Sequence, residues 1–200
     1  MGSCKKDLMV LGLTGVMGSG KSTVRKFLEA SGFRGIDCDV VVKHLLAEDV
    51  AVRAALCECW GDAVLGVDGN IDRASVAAIV FENKEALVWL ESLLHPRVRA
   101  YWQARVEEDS SARWVIEVPL LFENSLEKFF NFTVCVSCSP TTQLERLSRK
   151  GISAEEARAR MANQLPIEEK VKQADYVLFN DGEESFLAEQ VERLIDAISK

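Results

Sequence analysis

Apolar positions along the chain follow two rhythms. Leu8 to Leu13, Phe33 to Ile36, Trp114 to Val118, Phe132 to Ser137 and Tyr176 to Phe179 are short runs with little alternation. A run without a polar face reads as a strand covered on both sides, as in a parallel sheet. Helical spacing takes over between most of them. Ser22 to Glu29 reads as a helix, and Leu187, Val191, Leu194, Ile195 and Ile198 form the stripe of a C-terminal one. Ser139-Pro140 marks a helix start with Pro in the first turn, and Ser153-Ala154-Glu155-Glu156 is a capping box. Buried strands alternating with helices predict an α/β fold with a parallel five-stranded sheet and helices on both faces, a three-layer arrangement.

The stretch from about Val40 to Glu108 breaks this rhythm. It carries helical patterns and no buried strand, with Leu87, Leu90, Leu93, Leu94 and Val98 forming an apolar stripe that His95-Pro96 is expected to end. It reads as a helical insertion over 43–109, between the second and third strands. Residues 1–42 and 110–200 then form the core.

Composition narrows the partners. A chain of 200 residues with 48% apolar residues is long enough for a core without disulfides. The net charge of −7 argues against non-specific nucleic-acid binding, which needs a basic face. No apolar run approaches a membrane span, and Met1 to Asp7 has no signal-peptide h-region. The expectation is a cytoplasmic protein, a monomer, with no nucleic-acid or membrane partner. Cys57-x-Cys59 and Cys135-x-x-Cys138 lack the regular spacing of a zinc ribbon, so buried free thiols are expected.

Chemistry concentrates after the first strand. Gly15-Val16-Met17-Gly18-Ser19-Gly20-Lys21-Ser22 fits G-x-x-x-x-G-K-[ST], a phosphate loop between strand and helix. Its glycines admit positive φ and close approach of phosphate oxygens, while loop N–H groups and the helix N-terminus face the anion. Lys21 reaches the β and γ phosphates of a nucleoside triphosphate, and the Ser22 hydroxyl ligates Mg²⁺. Asp37 and Asp39 sit at the end of the second strand. Extended backbone would aim both at one side and turn Cys38 away, into the packing. One such carboxylate can orient or deprotonate an attacking hydroxyl. Arg146 and Arg149, one helical turn apart, are expected to clamp phosphate, and Arg158 and Arg160 lie further along the same cationic segment. Glu117, a charge inside the third strand, needs a partner and is placed to support a Mg²⁺ shell. His95 alone reads as either a helix-end residue or a functional one.

The ordered set of motifs resembles dephospho-CoA kinase over nearly the whole chain. It comprises Leu13-Thr14-Gly15 through Thr23, Ile36-Asp37-Cys38-Asp39, Asp68-Gly69-Asn70-Ile71-Asp72-Arg73, Leu94-His95-Pro96, Pro119-Leu120-Leu121-Phe122-Glu123, a lid pattern of Gln143, Arg146, Arg149, Arg160, Gln164 and Lys170, and Ala174-Asp175-Tyr176-Val177 with Asn180. The resemblance implies a P-loop NTPase core, a helical CoA-binding insertion and a helical lid over about 143–170. It implies ATP and Mg²⁺, transfer to the ribose 3′-hydroxyl of dephospho-CoA, and Asp39 as base. By the same resemblance Gly15, Gly18, Ser19, Gly20, Lys21, Ser22, Thr23 and Asn180 bind nucleotide, while Thr14, Asp37, Arg73, His95 and Glu123 line the acceptor site. Departures from the family pattern are Val16 for a loop glycine, the short acidic Ala47-Glu48-Asp49 in place of a Pro/Gly-rich turn, Ile167 for a commonly basic residue and Phe179 for a commonly acidic one. A kinase acting on another small acceptor, such as a nucleoside monophosphate or a sugar, is the alternative enzyme. A nucleotide-responsive binding protein is the alternative of another class.

Overall fold

The structure, a computed structural model, describes residues 8–153 and 164–199. The chain divides into two compact units, Met1–Asp37 with Asp109–Lys200, and Cys38–Glu108.

The first unit is built on five parallel strands: β1 (Met9–Gly15), β2 (Phe33–Asp37), β3 (Arg113–Glu117), β4 (Phe132–Ser137) and β5 (Tyr176–Phe179), in the order β2-β3-β1-β4-β5. Helices α1 (Lys21–Ala30), α6 (Pro140–Arg149), α7 (Ile167–Gln173) and α8 (Glu184–Ile198) belong to the same unit. The five expected strands are all present, with ends shifted by a residue or two. Leu11, Leu13, Val115, Val134 and Val136 are fully buried, as their unbroken apolar runs require. Val24 and Leu28 of α1 and Leu187, Val191, Leu194 and Ile198 of α8 close over them in one cluster. From β1 the chain winds to one side for β2 and β3, then to the other for β4 and β5. Such a reversal opens a ligand crevice at the carboxyl end of the central strand.

The second unit is helical: α2 (Cys38–Glu48), α3 (Val50–Trp60), α4 (Arg73–Glu82) and α5 (Lys84–Glu108), with a short 3₁₀ turn at Gly61–Val64. Its longest element corrects one expectation. His95-Pro96 does not end the apolar stripe, because α5 runs through Pro96 to Glu108. A mid-helix proline costs about 3 kcal/mol. Here Ala86, Leu90, Leu94, Val98, Trp102 and Val106 are buried at every fourth position. Burying aliphatic side chains contributes about 1.5–3 kcal/mol each, so the stripe outweighs the proline.

A second correction concerns Asp37 and Asp39. The ladder of β2 stops at Asp37, which pairs with Glu117, and α2 starts at Cys38. Extended alternation therefore does not carry Asp39, which lies in the first turn of α2. Cys38, Val41, Leu45 and Leu46 are buried at helical spacing, and that stripe overrides the β-preference of Val40-Val41-Val42. Cys38 is packed as expected, through the helix rather than the pleat. Among the described residues no helix is long and apolar enough to cross a membrane.

Candidate active site

The carboxyl end of β1 runs into the loop Gly15–Gly20. Gly15 has φ +140° and Gly20 φ +99°, a region that side chains with a Cβ avoid. Space imposes the same demand. A Cβ on Gly15 would run into the Val136 carbonyl, and one on Gly20 into the Asn180 amide. Gly20 precedes α1 with no side-chain cap, so an anion can take the place of a cap at this helix start. The Ser19 hydroxyl is buried without a hydrogen-bond partner. An orphaned hydroxyl inside a glycine cradle fits a site for phosphate oxygens.

Lys21 is nearly buried at 8% exposure. Its Nζ donates to the carbonyls of Gly15 and Val16, 3.0 Å each, which folds the loop around the ammonium. Ser22 is exposed at the start of α1, with Thr23 half-buried beside it. Two glutamines brace the loop from outside. Gln143 Nε2 donates to the Met17 carbonyl at 2.7 Å, and the Met17 N–H donates to Gln164 Oε1 at 3.4 Å. Leu147 of α6 and the Gln143 carbonyl lie against Gly18.

α6 begins as the sequence indicates: Ser139 accepts from the Thr142 N–H, with Pro140 in the first turn. The helix brings Arg146 to the loop, where Nη1 donates to the Ser19 carbonyl at 3.4 Å and Nη2 to Asn180 Oδ1 at 3.2 Å. Arg149 is not brought there. Its side chain is 79% exposed and faces Glu145 at 3.9 Å. Arg158, Arg160 and the capping-box residues 154–156 lie outside the described residues.

On the other flank Glu117 finds its partner in Arg25, four residues after Lys21 on α1. Arg25 Nε meets Glu117 Oε2 at 3.0 Å, Nη1 meets Glu29 at 2.7 Å, and Nη2 lies 3.6 Å from Asp37. Burial pushes the Glu117 carboxyl above the usual carboxylate range, opposed by its hydrogen bond from Arg25. Asp37 and Glu117 end adjacent strands in register, so Arg25 holds two carboxylates at the edge of the crevice. Sequence reasoning saw that Glu117 needs a partner but not that Arg25 supplies it. The helical distance of Arg25 from Lys21 was the available signal.

Thr14 is fully buried, and its hydroxyl donates to the Pro119 carbonyl at 3.2 Å. The fully buried Lys170 donates to the same carbonyl at 2.7 Å and meets Glu123 Oε1 at 2.7 Å. Glu123 Oε1 also accepts from the Leu165 N–H at 2.8 Å, and its Oε2 is buried without a hydrogen-bond partner. Cys135 in β4 is buried, which pushes its thiol up to about 11.

Asp39, Arg73 and His95 belong to the second unit. Asp39 sits in the first turn of α2, where the helix dipole favours a carboxylate. The stretch Asp68 to Arg73 is a turn followed by a cap. Gly69 donates to the Gly66 carbonyl with φ +73°, and Asp72 accepts from the N–H groups of Ala74 and Ser75. Arg73 opens α4 and is exposed. His95 lies in mid-α5, and burial lowers its imidazole below the ordinary value, with Glu91 opposing.

The oxygen donors suit a hard cation: the Ser22 hydroxyl, with the Asp37 and Glu117 carboxylates on neighbouring strand ends. Among the described residues no group of three or more His, Cys, Asp or Glu is gathered for a metal. Mg²⁺ takes few protein ligands and relies on substrate phosphates, so a sparse donor set fits it.

Comparison with known proteins bears on the same residues. The family model for dephospho-CoA kinase matches residues 9–185. A curated dephospho-CoA kinase of Gloeobacter violaceus is 39% identical over 95% of this chain and 93% of its own length. A crystal structure of a Thermus thermophilus protein superposes with a TM-score of 0.83 at 32% identity, covering 96% of this chain and 98% of that one. The dephospho-CoA kinase of Campylobacter jejuni gives 0.69 at 28% identity, covering 95% and 96%. A P-loop braced by Gln143, Arg146 and Asn180, on this sheet and with this match across the chain, means that the chain belongs to the dephospho-CoA kinase family.

Proposed function

We propose that the chain carries out the reaction of its family, transferring the γ-phosphoryl of ATP to the ribose 3′-hydroxyl of dephospho-CoA to give coenzyme A and ADP. The observation that carries the nucleotide half is the loop itself. It combines positive-φ glycines, an uncapped helix start and a nearly buried lysine whose ammonium donates to the Gly15 and Val16 carbonyls of the loop. On nucleotide binding Lys21 exchanges the Gly15 and Val16 carbonyls for the β and γ phosphates. Arg146 supplies guanidinium donors to the charge that develops on the transferred group.

Asp39 orients the acceptor hydroxyl and takes its proton as oxygen attacks the γ-phosphorus and the bond to the β-phosphate breaks. A Mg²⁺ held through Ser22 would neutralise charge on the phosphate oxygens. Arg25 keeps Asp37 and Glu117 oriented beside that region. Arg149 and the segment around Gln143 to Lys170 serve as a lid, and the helical insertion, with Arg73 and His95, receives the acceptor. Thr14 and Glu123 shape the acceptor side of the crevice through the Pro119 turn. The enzyme works in the cytoplasm as a monomer, without nucleic-acid or membrane partners.

An acceptor panel tests this. ADP formation with dephospho-CoA should exceed that with AMP, CMP or a free sugar by at least about 10⁴ in kcat/KM, the discrimination expected of a site that hydrogen-bonds its substrate. Equal or greater turnover with a nucleoside monophosphate would replace the acceptor while leaving the loop intact. In Asp39→Asn the kcat should fall at least about 100-fold with ATP binding retained. Unchanged kcat would remove Asp39 from the reaction.

A further inference from the structure

The residue following β5 makes contacts that a nucleotide-binding role does not require. Asn180 is 6% exposed. Its backbone N–H donates to the Ser137 carbonyl at 2.8 Å, continuing the β4–β5 ladder by one residue. Its Nδ2 donates to the Ser19 carbonyl at 2.8 Å, and its Oδ1 accepts from Arg146 Nη2 at 3.2 Å. Arg146 Nη1 reaches the same Ser19 carbonyl at 3.4 Å. Asn180, Arg146 and Ser19 thus close a three-cornered ring against the backbone of the phosphate loop. A Cβ at Gly20 would collide with the Asn180 amide, so the loop and this side chain are fitted to one another. The next residue completes the arrangement. Asp181 Oδ1 accepts from the Ser139 N–H at 2.7 Å, at the start of the helix that carries Arg146. Two consecutive residues therefore hold both the root of α6 and the guanidinium at its far end.

We propose that Asn180 is a positioning residue for Arg146: its carboxamide fixes the guanidinium against the Ser19 carbonyl, so the arginine is oriented toward the phosphate site before nucleotide arrives. This rests on the reading that Arg146 clamps the transferred phosphoryl. Two of the five guanidinium N–H donors are spent on Asn180 and Ser19. A third interaction links the guanidinium to the Cys138 thiol, and the donors left over sit on a group that no longer has to be ordered during the reaction. Preorganised donors of this kind stabilise developing charge without reorganisation at the moment of transfer. An asparagine suits the post because one side chain must donate to a carbonyl and accept from an arginine at once.

A double-mutant cycle on kcat, with ATP and dephospho-CoA saturating, tests the coupling. Arg146→Ala should lower kcat about 100-fold. Asn180→Ala should lower it about tenfold with KM for dephospho-CoA unchanged, and add less than about twofold in the Arg146→Ala background. A further tenfold loss in that background would overturn the proposal while leaving Arg146 in its role. An unchanged kcat in Arg146→Ala would overturn both. Asn180→Asp keeps an oxygen for Arg146 but turns a carboxylate toward the Ser19 carbonyl. It should recover most of the kcat lost in Asn180→Ala while raising KM for ATP, and a kcat no better than the alanine variant's counts against the proposal. Thermal melts report whether each variant folds. Should Asn180→Ala not fold, Asn180→Ser carries the same cycle, since it keeps a polar group near Ser19 but loses the reach to Arg146.

Discussion

At the scale of single residues, the phosphate loop joins two independent demands, backbone angle and space. Gly20 is held at φ +99° with the Asn180 amide over the position of its missing side chain. Gly20→Ala should therefore destabilise the protein by about 1–3 kcal/mol and raise KM for ATP, read by thermal melting and initial rates. Lys21→Ala should lower kcat about 10²–10³-fold without lowering the melting temperature comparably. A near-normal rate in that variant would contradict the assignment of the loop. These positions were legible in the sequence because each motif residue answers a local requirement: a glycine for an angle, a lysine for a charge. Arg25 was not legible in the same way. Its partners Glu117 and Asp37 come from two other strands, and only the β2–β3 pairing brings their carboxylates together. The fate of Glu123 was hidden for the same reason, since Lys170 and Leu165 reach it from a distant segment.

At the scale of elements, helix caps were readable and helix ends less so. Ser139-Pro140 starts α6 as its residues demand, and Ser139→Ala should cost about 1 kcal/mol of stability. That loss should appear in the denaturation midpoint, with an additional effect on kcat because α6 carries Arg146. Pro96 misled because a local penalty was weighed before the buried stripe continuing to Val106 could be counted. Asp39 misled because strand alternation was extended two residues past the last ladder pair. Helix α5 also gives a pH signature. Burial lowers the folded-state pKa of His95 below the ordinary 6.5. The folded state then binds fewer protons than the unfolded one as pH falls. Its contribution to stability is full above about 6.5, and is lost on acidification from there down to the lowered folded value. Urea midpoints should thus fall more steeply between pH 7.5 and 5.5 for the wild type than for His95→Gln, and parallel slopes would contradict a half-buried imidazole held neutral by desolvation.

At the scale of the whole molecule, the chain divides into two compact units. The sheet unit, residues 1–37 and 109–200, presents the loop and its bracing side chains at the carboxyl end of β1. Asp39, Arg73 and His95, proposed above for the acceptor side, lie in the helical unit, Cys38–Glu108. The strand order was readable only as far as parallel strands with crossovers. The placement of β3 between β2 and β1 is set by packing across the sheet, which no local pattern reports. The proposed transfer makes turnover depend on the acceptor. The most direct measurement is ADP release from ATP and Mg²⁺ by the wild-type protein, with and without dephospho-CoA, alongside detection of coenzyme A by mass. One coenzyme A formed per ADP, with little ADP released when the acceptor is left out, is the predicted result. ADP release indifferent to dephospho-CoA, with no coenzyme A formed, would contradict the account.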